Sequence, residues 1–160
     1  MQDIFQKISS YNLFNYLLPG VLFVAVLEKF TPYSLSQENL IVAAFVYYFV
    51  GLVISRFGSL IIEPILKKVS FLKFNDYADF ISASKNDPKI ETLVEASNMY
   101  RTFSAMLLLL FLAKFYEFIE YRFPVVESWS LYILLFLLLL MFLFSYRKQT
   151  RYISKRIENK

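Results

Sequence analysis

The chain has 160 residues, of which 58% are hydrophobic and 19% aromatic, and its mean hydropathy is +0.49. This composition is typical of an integral membrane protein and excludes an ordinary soluble domain. The sequence contains neither Cys nor His, which excludes disulfides, Cys- or His-dependent catalysis and metal sites built on these residues. The formal net charge of +4 is informative by position, because the distribution of Lys and Arg orients a membrane protein.

Four segments approach the length of roughly 20 apolar residues that a membrane-spanning helix needs. They cover residues 11–31, 40–62, 103–121 and 129–146. Pro19 interrupts the first, and we expect a helix kinked near Asn15, whose carbonyl loses its partner at Pro19. The alternative is an interfacial amphipathic helix over residues 3–17 that turns at Pro19 and Gly20. The fourth segment carries no charge and is the expected lipid-facing helix.

Lys and Arg residues gather in two segments outside these spans. Segments 67–102 and 147–160 hold six each, whereas the two remaining loops hold only Lys29 and Arg122. The positive-inside rule therefore predicts that both termini and the 67–102 segment lie in the cytoplasm.

The 67–102 segment is predicted to be helical rather than a plain loop. FNDYADFISAS reads as a short helix, and in NDPKIETLVEA Asp87 suits an N-cap while Pro88 suits the first helical position. Because no breaker follows before Pro124, one helix of about 50 Å should run from Pro88 through the third span. We therefore predict an all-α integral membrane protein of one domain, 1–160, with four transmembrane helices, this small cytoplasmic helical segment and a basic tail.

Two spans carry charged residues, which are costly in hydrocarbon unless they are paired or hydrated. Helical spacing places Arg56, Ser59 and Glu63 on one face of the second span, and Lys114 and Glu117 are close enough to pair on the third. One interpretation is that Arg56 snorkels to the headgroups and that Lys114 and Glu117 neutralise each other. The other is that these faces line a water-filled cavity, or a pore on the axis of a homo-oligomer, because four helices fill their own centre.

Basic residues beside the inner ends of the spans form a second candidate site. They are Lys67, Lys68, Lys73, Arg101, Arg147, Lys148 and Arg151. Topology and contact with anionic lipid explain most of this charge. The alternative is a phosphate-rich ligand such as a nucleotide or oligonucleotide, bound by side chains because no glycine-rich phosphate loop is present.

Enzyme chemistry finds little support in the sequence. Asp76 and Asp79 have no accompanying base, nucleophile or set of metal ligands, and they are expected to lie on a solvated helix surface. We predict no enzymatic activity, no metal site and no cofactor.

The motif NYLLPG in the opening YNLFNYLLPGVLFV, the four spans, the basic helical segment and the chain length resemble small membrane effectors of bacterial anti-phage defence, in particular the channel effectors of Hailong systems. The resemblance covers the whole chain in architecture and rests on NYLLPG in motif. It implies a homo-oligomeric ion channel, a tetramer, in the bacterial inner membrane, whose opening depolarises an infected cell. It also implies a partner nucleotidyltransferase that makes a short DNA-like signal, which binds the cytoplasmic side and keeps the channel shut.

We therefore expect a pore-forming effector or ligand-gated ion channel, controlled by a nucleotide or oligonucleotide on its cytoplasmic side. The alternative is a non-conducting membrane scaffold or assembly subunit. A small transporter ranks last, because only the first span has an internal Pro-Gly and transporters usually show broken helices in matching halves.

Overall fold

The computed structural model describes residues 12–158, and every regular element within them is helical. Helices α1 (Leu18–Phe30), α2 (Leu40–Phe57), α3 (Glu63–Lys68), α4 (Tyr77–Asn86), α5 (Lys89–Arg122) and α6 (Pro124–Glu158) follow one another, with π turns at Leu13–Leu17 and Gly58–Ile62. Four continuous helical stretches are long and apolar enough to cross a membrane: Leu13–Phe30, Leu40–Lys68, Lys89–Arg122 and Pro124–Glu158. The prediction of an all-α protein with four helices long and apolar enough to span a membrane is confirmed.

Each π turn stands two residues before a proline. The N–H of Leu18, before Pro19, donates to the carbonyl of Leu13, and the N–H of Glu63, before Pro64, donates to the carbonyl of Gly58. Bonding from i to i+5 shifts the next carbonyl toward the proline nitrogen, which has no hydrogen to donate. The irregularity in the first span is therefore where the sequence predicted it, around Asn15, but it takes the form of a π turn. The alternative helix over 3–17 lies mostly outside the described residues.

The first two spans touch through their backbones. A Cβ added at Gly20 would lie 1.8 Å from the carbonyl oxygen of Tyr47, and one at Gly51 would lie 1.7 Å from that of Tyr16. Only glycine permits so close an approach, as small residues do between membrane helices generally. Helices α1 and α2 with their π turns therefore form one closely packed pair.

Helix α5 packs across this pair and completes the interior. The core cluster contains Ile54 and Ile62 from the second span and Ala105 and Met106 from α5. Helix α6 contributes no buried residue and lies against the side of the other helices.

The two longest helices extend beyond their apolar parts. Helix α5 has 34 residues, about 51 Å at 1.5 Å per residue, in agreement with the predicted length. It begins at Lys89, one residue after the predicted first position Pro88, and the N–H of Lys89 donates to Oδ1 of Asp87 at 2.9 Å, so Asp87 does accept a hydrogen bond from the first turn. Helix α6 runs on through the basic residues after Tyr146, where its Tyr152 ring lies 6.3 Å from that of Tyr77 in α4. Helices α3 and α4, the start of α5 and the end of α6 thus meet at one end of the molecule, called here the basic end.

Candidate functional site at the basic end

Glu63 is the carboxylate on which the ion pairs of the basic end converge. It follows the second π turn directly, and only 8% of the residue is exposed. Its Oε2 lies 2.8 Å from Nη1 of Arg101, and its Oε1 lies 3.0 Å from Nζ of Lys67 and 3.6 Å from Nζ of Lys148. Three cations from α3, α5 and α6 therefore surround one carboxylate, and three positive charges less one negative leave a formal charge of +2.

Lys148 reaches this site because the π turn leaves a carbonyl open. Its Nζ lies 2.7 Å from both the carbonyl oxygen and Oγ of Ser59, and it donates to both. The carbonyl of Ser59 is directed toward the nitrogen of Pro64, which cannot donate. Leaving such a group unpaired when buried costs about 1–3 kcal/mol. Lys148 therefore supplies a donor to the Ser59 carbonyl in the second π turn, and it also connects α6 to the Glu63 cluster.

The first π turn is bound to α5 at the neighbouring residue. Oγ1 of Thr102 lies 2.9 Å from Oδ1 of Asn15, and both residues are almost fully buried. Nδ2 of Asn15 and Nε of Arg101 are buried without a hydrogen-bond partner in the described part of the chain. The first π turn thus meets α5 at Thr102, and Glu63, the residue directly after the second π turn, meets it at the neighbouring Arg101.

At the opposite end, charged side chains fasten helix ends and loops. The predicted pair of Lys114 and Glu117 is present, at 2.8 Å, and Lys114 also donates to the carbonyl of Phe30 at 2.9 Å, at the end of α1. Glu120 accepts hydrogen bonds from the hydroxyls of Tyr33 and Ser130. Burial, together with the hydrogen bond to Glu120, raises the pKa of Tyr33. These contacts satisfy the free carbonyl of a helix end and anchor the loop after α1.

The predicted ligand-binding residues divide into two groups. Lys67, Arg101 and Lys148 converge on Glu63. Lys68, Lys73, Arg147 and Arg151 are exposed around the basic end. The basic end therefore has three cations engaged by one carboxylate and four directed at solvent.

The predicted polar face of the second span does not form one environment. Ser59 and Glu63 are buried between helices, whereas Arg56 is half-buried and has no ion-pair partner among residues 12–158. The π turn Gly58–Ile62 contains Ser59 and stands between Arg56 and Glu63, so the helical period of 3.6 from which a common face was predicted is interrupted there. Ser59 and Glu63 are thus interhelical polar residues within one protomer.

Sequence reasoning missed the roles of Asn15 and Thr102 and the central position of Glu63. One signal was available in the sequence. A proline inside each of the first two spans indicates a backbone carbonyl that lacks its usual N–H donor. Which residue supplies the donor depends on how the helices pack, and that is not encoded locally.

The chemistry that this arrangement offers is anion binding. Arg and Lys side chains from three helices point at one place, and an anion with several oxygens can accept from all of them. Within the described residues, no group of three or more carboxylates is placed to hold a metal ion. No protein-family model, no curated protein and no solved structure matches this chain.

Proposed function

We propose that the chain is a subunit of an oligomeric membrane channel controlled by an anionic, phosphate-bearing ligand at the basic end. The observation that carries this proposal is the convergence of Lys67, Arg101 and Lys148 on the single carboxylate of Glu63. A phosphate group carries up to two negative charges and three acceptor oxygens, more than a carboxylate offers. Such a ligand competes with Glu63 for the same cations.

The position of the cations explains how ligand binding at the basic end would act on the membrane-spanning helices. Arg101 and Lys148 belong to two helices that cross the apolar layer, and Glu63 ends the second span. A ligand that takes these cations from Glu63 weakens the connection of α5 and α6 to the second span. It shifts the channel between closed and open states only to the extent that its affinity for the two states differs.

Further exposed cations extend the site for a ligand with more than one phosphate. They are Lys68, Lys73, Arg147 and Arg151. A nucleotide or a short oligonucleotide has this repeated negative charge. The positive-inside rule places the basic end in the cytoplasm, where such a ligand is made.

The resemblance to anti-phage effectors supports a cellular setting for this control. In that setting the protein lies in a bacterial inner membrane, and a nucleotidyltransferase supplies a short DNA or nucleotide signal. The pore lies on the axis of a homo-oligomer, because α1, α2 and α5 fill the centre of one protomer with side chains.

Ion flux from proteoliposomes tests the proposal directly. Purified protein is reconstituted with K⁺ inside, and the flux is measured with and without short single-stranded DNA and nucleoside triphosphates. We expect a flux that these probes change, with binding that weakens steeply as salt is raised. An ion flux that none of the probes changes would contradict control by a ligand. The absence of flux under every condition would favour the alternative, a non-conducting membrane scaffold.

A matched pair of variants locates the ligand. The double variant Lys68→Gln/Arg151→Gln removes two exposed cations of the basic end and should weaken probe binding without lowering thermal stability. The control Lys29→Gln/Arg122→Gln removes two exposed cations from the opposite end. Equal loss of binding in both would indicate nonspecific attraction by net charge rather than a site.

A further inference from the structure

Helix α6 carries a regular row of residues that the described part of the chain leaves exposed. The row alternates steps of three and four over 29 positions. It consists of Trp129, Tyr132, Phe136, Leu139, Leu143, Tyr146, Thr150, Ile153 and Ile157, all of them exposed. Eight of these nine are apolar or aromatic, and this spacing is the a and d pattern of helices that pack along one seam. We call this row the α6 seam.

The side-chain contacts of α6 with the described part of its own chain avoid the seam. Ser130 bonds to Glu120 and Lys148 to Ser59, and the rings of Tyr152 and Phe142 lie beside those of Tyr77 and Phe49. In the heptad frame of the α6 seam, these four contact residues of α6 fall at b, f, c and g, and none falls at a or d. The seam is therefore directed outward from the protomer.

Lipid can cover the seam only as far as the apolar part of α6. Beyond Tyr146, Ile153 and Ile157 are 53% and 67% exposed and stand among the basic residues of the tail. A segment with five Lys and Arg residues between positions 147 and 156 lies outside the hydrocarbon. At these last turns the seam faces water unless another protein surface covers it.

We propose that α6 of one copy packs in parallel against α6 of a second copy along this seam. Copies inserted in one membrane with one orientation present parallel helices, so an unbroken a/d row can pair with itself. The flanking positions permit this near the basic end, because across a parallel seam Gln149 faces Ser154 and Arg147 faces Phe142, so neither pair places two like charges opposite each other. The inference rests on the proposed oligomer and specifies where its subunits meet, so only the remaining faces of α6 are left to lipid.

Single cysteines test the seam, because the chain has no native Cys. Leu139, in the seam, and Leu137, outside it, are each 56% exposed and belong to the same helix. In isolated membranes treated with an oxidant, we expect Leu139→Cys to form disulfide-linked dimers and Leu137→Cys to remain monomeric. Equal cross-linking of both would reveal random collision and overturn the proposal.

A second pair extends the test beyond the membrane. Ile153→Cys should cross-link and Arg151→Cys should not, because only the first lies in the seam. Introducing Ile153→Glu into the Leu139→Cys protein should reduce its cross-linking, since a charge is then placed in the contact, while the protomer loses no buried side chain. Absence of cross-linking at both positions 139 and 153 contradicts the interface.

Native mass in detergent separates this inference from the proposed function. If the protein is an oligomer that conducts but neither seam cysteine cross-links, only the α6 interface is wrong. If the protein is a monomer in membranes and in detergent, the oligomeric channel is wrong as well.

Discussion

Glu63 holds more positive charge than one carboxylate neutralises, and this excess is the chemical property that distinguishes the basic end. Arg101 and Lys148 are only partly exposed, so each depends on Glu63 for an anionic partner in a region of reduced hydration. A buried ion pair adds little net stability, but the removal of one member leaves the others uncompensated. The cluster is therefore sensitive to any change at position 63.

Glu63→Gln should lower thermal stability. Hydrogen bonds to charged groups contribute about 1.5–3 kcal/mol, and because Lys67 is partly exposed we expect a loss of about 2 kcal/mol. This corresponds to about 4–8 °C in the unfolding midpoint, at roughly 2–4 °C per kcal/mol for a chain of this size. Thermal unfolding in detergent measures it, with the exposed Glu95→Gln as control. Equal midpoints for the two variants would contradict the central role of Glu63.

The contact of Thr102 with Asn15 permits a double-mutant test. Thr102→Val leaves Oδ1 of the buried Asn15 without its donor, which should cost about 1–3 kcal/mol. The double variant Asn15→Leu/Thr102→Val removes both polar groups and should be more stable than Thr102→Val alone. Unfolding midpoints of the two single variants and the double variant give the coupling, and strictly additive losses would show that the bond is unimportant.

At the scale of elements, the first two spans behave as one body. Their backbones meet at Gly20 and Gly51, and residues at or next to their two π turns are bound to consecutive residues of α5. A π turn has one residue more per hydrogen-bonded ring than an α turn and occurs frequently at functional sites. The pair and α5 are therefore held together by two side-chain bonds that lie at or next to the two π turns.

Gly51→Ala should separate this pair. The added Cβ would meet the backbone of Tyr16 at 1.7 Å, and a backbone cannot rotate away as a side chain can. Overpacking of this kind costs about 1–3 kcal/mol, and we expect the upper part of that range. Gly58→Ala is the matched control, because its nearest contacts are at 3.2 Å and include the side chains of Ala105 and Arg101. The unfolding midpoint should fall more for Gly51→Ala than for Gly58→Ala. The reverse order would contradict the close backbone contact between the first two spans at Gly51.

At the scale of the whole molecule, the uneven distribution of charge predicts an orientation in the membrane. The basic end carries the Glu63 cluster and the tail of α6, whereas the opposite end holds short loops with Lys29 and Arg122. The positive-inside rule therefore predicts that the basic end lies in the cytoplasm.

Impermeant thiol labelling of intact cells tests this orientation. Gln37, in the loop after α1, and Ser82, in α4, are both exposed and make suitable single-cysteine positions. We expect Gln37→Cys to be labelled in intact cells and Ser82→Cys only after the membrane is permeabilised. Labelling of position 82 in intact cells would reverse the orientation and remove the proposed cytoplasmic ligand.

The sequence by itself determined the features that depend on local composition and spacing. Apolar length gave the four membrane-spanning helices, the cap at Asp87 and the lack of a breaker before Pro124 gave the single long α5, and a spacing of three gave the Lys114–Glu117 pair. Each of these follows from neighbours along one helix.

Only the tertiary structure decided the site. The bonds of Arg101 to Glu63, of Thr102 to Asn15 and of Lys148 to Ser59 join residues that are 38, 87 and 89 positions apart. The π turn at Gly58–Ile62 also interrupts the period of 3.6 from which a common face of Arg56, Ser59 and Glu63 was predicted. A proline shows that a carbonyl lacks its usual donor, but the packing of separate helices decides which side chain supplies one.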